Sequence, residues 1–268
     1  MAKAARKIKE QLKKVDIIII MGDARAVRRS VFEDFAEMFK DKKCVYVFNK
    51  TDLADPTTVE GWKKYFAENS EDVFFTDCIS KTGIRQLVSF LAEAKSSFRF
   101  EREVNVMAAG IPNTGKSMLL NSIAGRASAK VENKAGVTRA NKWIRVQNSF
   151  YLLDTPGVLT PKFDSEEDGF VIAAIGSMKD TVYDKEELAY KIIDFLKEKY
   201  PELLTDRYGI DPEDKPSAQI MEEIAEARGF RQKGGHLDLT RTSVMILEEF
   251  RNGKIGRIAF DTAEDLLL

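Results

Sequence analysis

Two short motifs and their order constrain this chain more than any other feature. Residues 110–117 read Gly-Ile-Pro-Asn-Thr-Gly-Lys-Ser, a glycine-rich pattern whose backbone N–H groups can wrap phosphates at the N-terminus of a helix. Residues 49–52 read Asn-Lys-Thr-Asp and lie upstream of that loop. A phosphate-binding loop usually precedes a tetrad of this kind, so the chain carries familiar parts in rotated order.

Apolar runs alternate with helical patterns through the first part of the chain. The stretch from Asp16 to Met21 is an apolar run, which is typical of a strand buried on both faces of a parallel sheet. Alternation of strands and helices predicts an α/β doubly wound sheet. Further strands are predicted at 44–48, 73–75 and 104–109, helices at 2–14 and near 27–40, 57–68, 83–95 and 116–124, and a hairpin at 143–146 and 150–154.

The character of the sequence changes after about residue 163. Helical periodicity continues at 184–199, 216–228 and 239–252, with prolines and glycines between these segments. We therefore predict two domains, a nucleotide-binding domain over residues 1–163 and a small all-helical domain over residues 164–268.

The composition excludes several classes of protein. The chain has 268 residues, of which 44% are hydrophobic and 32% charged, so it can bury a core and is not disordered. No apolar run approaches the roughly 20 residues that span a membrane, and we expect a cytoplasmic monomer. Cys44 and Cys78 fall in predicted strands and should be buried rather than disulfide-bonded or metal-bound. A single histidine, His236, leaves little scope for a zinc site.

The phosphate-binding loop predicts how a nucleoside triphosphate is held, but not which base it carries. Lys116 is expected to reach the β- and γ-phosphates, and the Ser117 hydroxyl is expected to ligate Mg²⁺. A P-loop kinase or ATPase therefore stays open on this motif alone. The residues of the segment that are expected to contact the nucleotide are Asn113, Thr114, Gly115, Lys116, Ser117 and Met118.

The upstream tetrad predicts a guanine base. The Asp52 carboxylate can accept hydrogen bonds from the ring and exocyclic N–H donors of guanine, a pattern that adenine lacks. Asn49 would hold the loop and approach the base, while the stem of Lys50 would cover its face. The segment at Ser80 and Lys81 would add a second contact to the base, a backbone N–H that donates to the guanine oxygen. The alternative, a solvated charged turn, is disfavoured by the pairing with the phosphate-binding loop.

Residues after the phosphate-binding loop are candidates for sensing the γ-phosphate. Asp154 suits a water-mediated contact to Mg²⁺, and the Gly157 N–H suits a contact that exists only with a triphosphate bound. Thr138 lies between the loop helix and the hairpin, so it is the candidate for the threonine that closes on Mg²⁺. GTP and GDP, with Mg²⁺, are therefore the expected ligands.

Charge is distributed unevenly in the second half. Residues 228–257 carry seven basic side chains against three acidic ones, although the whole chain has a net charge of only −1. Such asymmetry indicates a local surface for an anionic partner, and a solvated helix face of mixed charge is the alternative. The candidate RNA-binding residues are Arg228, Lys233, Arg241, Lys254 and Arg257.

The motif order and several short segments together resemble the YlqF/RbgA family of circularly permuted GTPases. The segments that carry the resemblance include Asp-Ala-Arg at 23–25, the loop at 110–117, Asp-Thr-Pro-Gly at 154–157, Arg-Tyr-Gly at 207–209 and Lys-Ile-Gly-Arg at 254–257. It covers nearly the whole chain and implies a circularly permuted Ras-like P-loop GTPase domain followed by a small helical domain. It further implies an assembly factor that docks on the rRNA of the large ribosomal subunit and hydrolyses GTP slowly until that subunit stimulates it.

The resemblance also bears on the hydrolytic step. Val158 follows Asp-Thr-Pro-Gly where many GTPases have a glutamine, and its side chain cannot orient water. Asn113 resembles the asparagine that potassium-activated relatives use as a K⁺ ligand; a residue that only caps local N–H groups is the alternative. The family's proposed catalytic histidine, in a Trp-[Phe/Tyr]-Pro-Gly-His segment, has no counterpart in this sequence. No catalytic residue is therefore assigned.

Two functions remain open on the sequence. The first is a GTPase whose nucleotide state switches its affinity for the pre-ribosome. The second is a GTP-gated RNA-binding module with little or no hydrolysis, which Val158 and the missing histidine favour.

Overall fold

The computed structural model describes residues 12–31, 38–69, 71–94, 103–126, 130–132, 142–146, 150–154 and 165–266. The chain divides into two compact units. The first contains residues 1–162 and 261–268, and the second contains residues 163–260. The predicted helix at 2–14 lies almost wholly outside the described residues. Residues 32–37 of the one at 27–40 also lie outside them, while residues 27–30 form turns and residues 38–39 are helical.

A seven-stranded sheet organises the first unit, and its strand order is β3-β2-β1-β4-β7-β6-β5. β1 lies inside the sheet between β2 and β4 and is buried along its whole length, because a continuous isoleucine run can pack against helices on both faces. β1 to β4 and β7 pair in parallel, whereas β5, β6 and β7 pair in antiparallel fashion. The strands are β1 Ile17–Asp23, β2 Lys43–Asn49, β3 Val73–Thr76, β4 Val104–Gly110, β5 Lys130–Glu132, β6 Lys142–Val146 and β7 Phe150–Asp154.

Among the described residues of the first unit, three helices follow strands of this sheet: α1 Pro56–Glu68, α2 Ile84–Glu93 and α3 Lys116–Arg126. α1 begins with a proline at its first turn and an Asp55 side chain that accepts the Thr58 N–H at 2.7 Å. α2 begins after Gly83, whose φ is 75°. A Cβ there would lie 2.2 Å from the Phe75 carbonyl oxygen, so only glycine fits.

The register of the sheet brings the two motifs to one edge. Asp23 pairs with Asn49 between β1 and β2, and Met21 pairs with Gly110 between β1 and β4. The carboxyl ends of β2, β1 and β4 therefore coincide, at the edge where open α/β sheets bind ligands. The rotated order of the motifs in the chain does not alter this meeting point.

The second unit is helical around its own apolar core. Its helices are α4 Glu166–Ala174, α5 Lys185–Lys199, α6 Pro201–Tyr208, α7 Ser217–Ala227 and α8 Leu239–Arg251. The three helices predicted for this region are confirmed as α5, α7 and α8, while α4 and α6 are additional. In α8, Ile246, Leu247 and Phe250 are buried, at the i, i+1, i+4 spacing that one helix face presents to a core.

Two expectations from the sequence need correction. Residues 261–268 group with the first unit rather than with the helical one, and the indole N–H of Trp62 donates to the Asp261 carbonyl at 3.2 Å. Cys78 lies in the turn after β3 and not in a strand. Cys44 does lie in β2, and both thiols are free.

Candidate functional site

The loop between β4 and α3 has the backbone geometry that a phosphate cradle needs. Gly110 has a φ of 150°, and a Cβ at this position would lie 2.3 Å from the Met21 carbonyl oxygen. Asn113 and Gly115 also have positive φ angles, of 59° and 94°. Glycine and asparagine are the residues that tolerate such turns, so the sequence permits the loop to curl tightly before α3 begins.

Lys116 is folded back into this loop. Its Nζ donates to the carbonyl oxygens of Gly110 at 3.1 Å and Ile111 at 2.8 Å, and burial lowers its pKa. Thr114 is fully buried, and its hydroxyl donates to the Ile111 carbonyl at 3.0 Å. The ammonium group is thus held at the mouth of the loop, within reach of phosphates that enter it. Ser117 follows on the exposed first turn of α3.

Asn49 connects the tetrad to the phosphate-binding loop. Its side chain is buried, and its Nδ2 donates to the Thr114 carbonyl oxygen at 2.9 Å. Its Oδ1 accepts from the Thr76 hydroxyl and from the Cys78 N–H, both at 3.2 Å. One amide therefore joins the ends of β2 and β3 to the loop after β4. This arrangement satisfies both ends of a buried polar group, which would otherwise be costly.

Asp52 has an electrostatic setting that bears on base recognition. It is half-buried, and this burial, together with the charge of nearby Asp77, raises its pKa. Backbone hydrogen bonding and Arg25 partly oppose that rise. Burial makes the charged form of this carboxylate costly, and N–H donors of a ligand would stabilise that form. The ring and exocyclic N–H groups of guanine would provide such donors.

The loop at 77–82 is shaped by a residue that the sequence reading missed. Asp77 is buried, and its carboxylate accepts the Ile79 N–H at 2.7 Å and the Ser80 N–H at 3.2 Å. Ser80 and Lys81 are exposed, and Lys81 has a φ of 66°. The Ser80 N–H expected for a guanine oxygen thus meets the Asp77 carboxylate in this structure. An aspartate directly before a turn is a known signal for such backbone capping.

Of the three residues predicted to sense the γ-phosphate or its Mg²⁺, the structure describes only Asp154. Thr138, Gly157 and Val158 lie outside the described residues. The backbone of Asp154 ends β7, next to the Met107–Leu153 pair that joins β7 to β4. Within the described ranges, no group of three or more histidine, cysteine, aspartate or glutamate side chains could hold a metal ion.

In the second unit, the five candidate RNA-binding residues are partly or fully exposed. The Arg241 guanidinium lies 4.1 Å from the centre of the Phe230 ring, and that of Arg228 lies 5.5 Å from the Tyr208 ring. Such pairs can stack on planar bases. Sequence reasoning missed both aromatic partners, since the arginines and rings come from separate segments.

The buried carboxylate of Glu249 positions part of the surface that carries these arginines. Glu249 is 8% exposed, and its carboxylate accepts hydrogen bonds from Nε and Nη2 of Arg207. The Tyr208 hydroxyl donates to Glu249 at 3.1 Å, and burial together with the Glu249 charge raises the Tyr208 pKa. The hydrogen bond from Arg207 lowers the pKa of Glu249 despite burial. The Arg228 Nη2 lies 4.0 Å from the same carboxylate, so Glu249 of α8 also helps to position the Arg228 guanidinium.

Comparison with known proteins adds independent information. The family model for 50S ribosome-binding GTPases matches residues 105–228. A ribosome biogenesis GTPase A of Priestia megaterium is 36% identical over 97% of this chain and 94% of its own length. One from Thermotoga maritima is 28% identical, with 98% of this chain and 92% of that protein covered.

Solved structures are similar as well. The GDP-bound structure of Thermotoga maritima YlqF superposes with a TM-score of 0.71 at 26% identity, covering 97% of this chain and all of that one. A GNP-bound structure of YlqF from Thermotoga maritima gives a TM-score of 0.68 with 97% and 98% coverage. Over the part of the chain that the structure describes, no helix is both long and apolar enough to cross a membrane.

Proposed function

Because this chain belongs to the ribosome biogenesis GTPase A (YlqF/RbgA) family, we propose that it is a GTP-hydrolysing assembly factor for the large ribosomal subunit. The GTPase class and a role in ribosome assembly follow from that membership. The choice of the large subunit is our inference. The observation that carries the nucleotide assignment is the buried hydrogen bond from Asn49 to Thr114, since it joins the base-reading tetrad to the phosphate-binding loop.

The nucleotide would be held by two groups of residues. Asn49, Lys50 and Asp52 would hold and recognise the guanine base. The segment at Ser80 and Lys81 would add a backbone N–H for the guanine oxygen. Asn113, Thr114, Gly115, Lys116, Ser117 and Met118 surround the phosphates. The Lys116 ammonium donates to two loop carbonyls, and phosphate oxygens of a bound nucleotide would accept hydrogen bonds from it as well.

Mg²⁺ fits the chemistry of the proposed ligands. A hydroxyl at the first turn after a phosphate-binding loop is the usual protein ligand for Mg²⁺ bound to a triphosphate, and Ser117 provides it in an exposed position. Thr138 and, through water, Asp154 would complete the set. The ion would neutralise charge that develops on the phosphates during hydrolysis.

K⁺ is proposed as a second ion, with Asn113 as its ligand. Asn113 is exposed and has a positive φ in the loop, so its side-chain oxygen can face the phosphates. K⁺ there would offset charge on the β–γ bridging oxygen. Replacing K⁺ with Na⁺ should lower the rate of GTP hydrolysis in the wild-type protein and leave an Asn113→Ala variant unchanged.

The helical unit would bind rRNA through Arg228, Lys233, Arg241, Lys254 and Arg257. Arginine and lysine contacts to phosphates supply affinity that falls as salt rises. The Arg241–Phe230 stack supports the assignment, because it offers a platform for an unpaired base. Reversing the charge at Arg241 and Lys254 should weaken binding to the large subunit and flatten its salt dependence. We expect a cytoplasmic protein that acts as a monomer.

The second candidate function is a GTP-gated RNA-binding module with little hydrolysis. The observation that favours it is Val158, which follows Asp-Thr-Pro-Gly at 154–157 and whose side chain cannot orient the attacking water. A single-turnover assay with K⁺ and large subunits separates the two. Stimulated hydrolysis supports the GTPase, whereas binding without turnover supports the gated module. In either case, affinity for the subunit should differ between GDP and a non-hydrolysable GTP analogue.

A further inference from the structure

Asp23 is a buried carboxylate that none of the roles above uses. It ends β1 and is fully buried. Arg25, itself 1% exposed, donates to it through Nε and Nη2 at 2.9 Å each and through its backbone N–H at 3.1 Å. Burial would raise the pKa of Asp23, but the charges and hydrogen bonds of Arg25 and Lys50 outweigh it and lower the pKa.

A second cation nevertheless reaches the same carboxylate. The Lys50 Nζ lies 2.9 Å from the Asp23 Oδ2, and the Lys50 side chain remains 22% exposed. The contact therefore joins a partly exposed cation to a buried carboxylate that Arg25 also pairs with. The contact fixes the Lys50 ammonium beside the end of β1.

The main chain places these two residues in a constant relation. Asp23 pairs with Asn49 in the sheet register, and the Ala24 N–H donates to the Asn49 carbonyl at 2.8 Å. Lys50 follows with a φ of 66°, a left-handed conformation that non-glycine residues adopt only when their surroundings impose it. Both the backbone and the terminal ammonium of Lys50 are therefore constrained by residues of the first unit itself.

We propose that Asp23 is a positioning residue for guanine recognition, which fixes the Lys50 side chain so that its stem is already in place for the base. This inference rests on the proposed role of the tetrad. Ordering a long, flexible side chain during binding weakens affinity by about two- to tenfold. A Lys50 held in advance avoids that loss, and its extended stem can cover apolar surface while its charge stays paired.

A double-mutant cycle tests this role. The dissociation constant of fluorescent mant-GDP is measured for the full-length wild type, Asp23→Asn, Lys50→Met and the double variant. We expect Asp23→Asn to weaken binding about three- to tenfold and to add no further loss in the Lys50→Met background. Non-additivity of this kind identifies residues that act through one another. A purely structural effect of Asp23 would instead add to that of Lys50.

Controls separate a local effect from loss of the fold. Glu60→Gln removes a carboxylate that pairs with Lys63 on the exposed surface of the same unit, and it should leave mant-GDP affinity unchanged. Asp23→Asn leaves Arg25 buried without a carboxylate, so Asp23→Asn/Arg25→Gln is measured as well. This neutral pair of similar size should fold and show the same loss of affinity.

Three outcomes would overturn the inference: additive losses in the cycle, wild-type affinity in Asp23→Asn, or failure of both Asp23 variants to fold. The last would mean that Asp23 serves the fold alone. The proposed function is judged separately, by whether the wild type prefers mant-GDP to mant-ADP. If that preference is present and the cycle is additive, only the role of Asp23 fails.

Discussion

Replacing Asn49 with alanine removes the amide that joins the tetrad to the phosphate-binding loop. Three partners lose their hydrogen bonds: the Thr114 carbonyl, the Cys78 N–H and the Thr76 hydroxyl. Asn49, Thr76 and Thr114 are all buried, so water reaches these groups poorly. A buried polar group left without a partner costs about 1–3 kcal/mol. If the site relaxes partly, the first unit should lose about 2–4 kcal/mol of its free energy of unfolding.

Tryptophan fluorescence during urea unfolding measures this loss in the right part of the molecule. Trp62 and Trp143 are the only tryptophans, and both belong to the first unit. Asn69→Ala is the matched control, since the Asn69 amide also donates to a carbonyl, that of Tyr65 at 2.8 Å, but is exposed. It should change stability by less than about 0.5 kcal/mol.

The same variant should bind nucleotide more weakly, because the two loops are no longer tied together. Both losses must occur together if Asn49 has the assigned role. If Asn49→Ala unfolds at the same urea concentration as Asn69→Ala and binds mant-GDP as the wild type does, the reasoning about the shared amide is refuted.

Three further predictions concern buried or half-buried carboxylates. The pKa of Asp52 is raised, so GTP affinity should fall as pH is lowered, earlier than for an ordinary aspartate; titrations with mant-GTP from neutral to acidic pH check this. Burial raises the pKa of Asp261 to about 6, and its Oδ1 has no hydrogen-bond partner among the residues that the structure describes. Between the unfolded pKa and about 6 the folded state therefore binds more protons, so the first unit should gain stability as pH falls through this window, and Asp261→Asn should remove that gain. Glu249→Gln should destabilise the second unit by about 2–4 kcal/mol, seen by circular dichroism, while the urea transition of tryptophan fluorescence stays unchanged.

Sequence predicted the elements whose signal is local. The isoleucine run of β1 is apolar at every position, so its burial on both faces of the sheet could be predicted directly. By contrast, β5 has only three residues, Lys130–Glu132, too few for any periodicity. Pro201 was read as a separator between helices, yet it is the first residue of α6, a position where proline's missing N–H costs nothing.

Candidate site residues can be proposed from the sequence where a motif specifies both residue type and spacing. The phosphate-binding loop and the tetrad were found in this way, and the sheet register places both at one edge. Asp23 and Lys50 are 27 residues apart, and Asn49 and Thr114 are 65 apart. Such pairings depend on how strands align in three dimensions, which no local pattern contains. Asp77 was missed although its place before a turn carried a usable signal.

The central claim is that one guanosine nucleotide joins the two motifs, and competition binding tests it most directly. Unlabelled GTP, GDP, ATP and ADP are each titrated against mant-GDP bound to the wild type and to Asp52→Asn. The account predicts that guanosine nucleotides displace the probe far better than adenosine nucleotides, and that Asp52→Asn loses this preference. Equal displacement by both bases in the wild type, or an unchanged preference in Asp52→Asn, would contradict it.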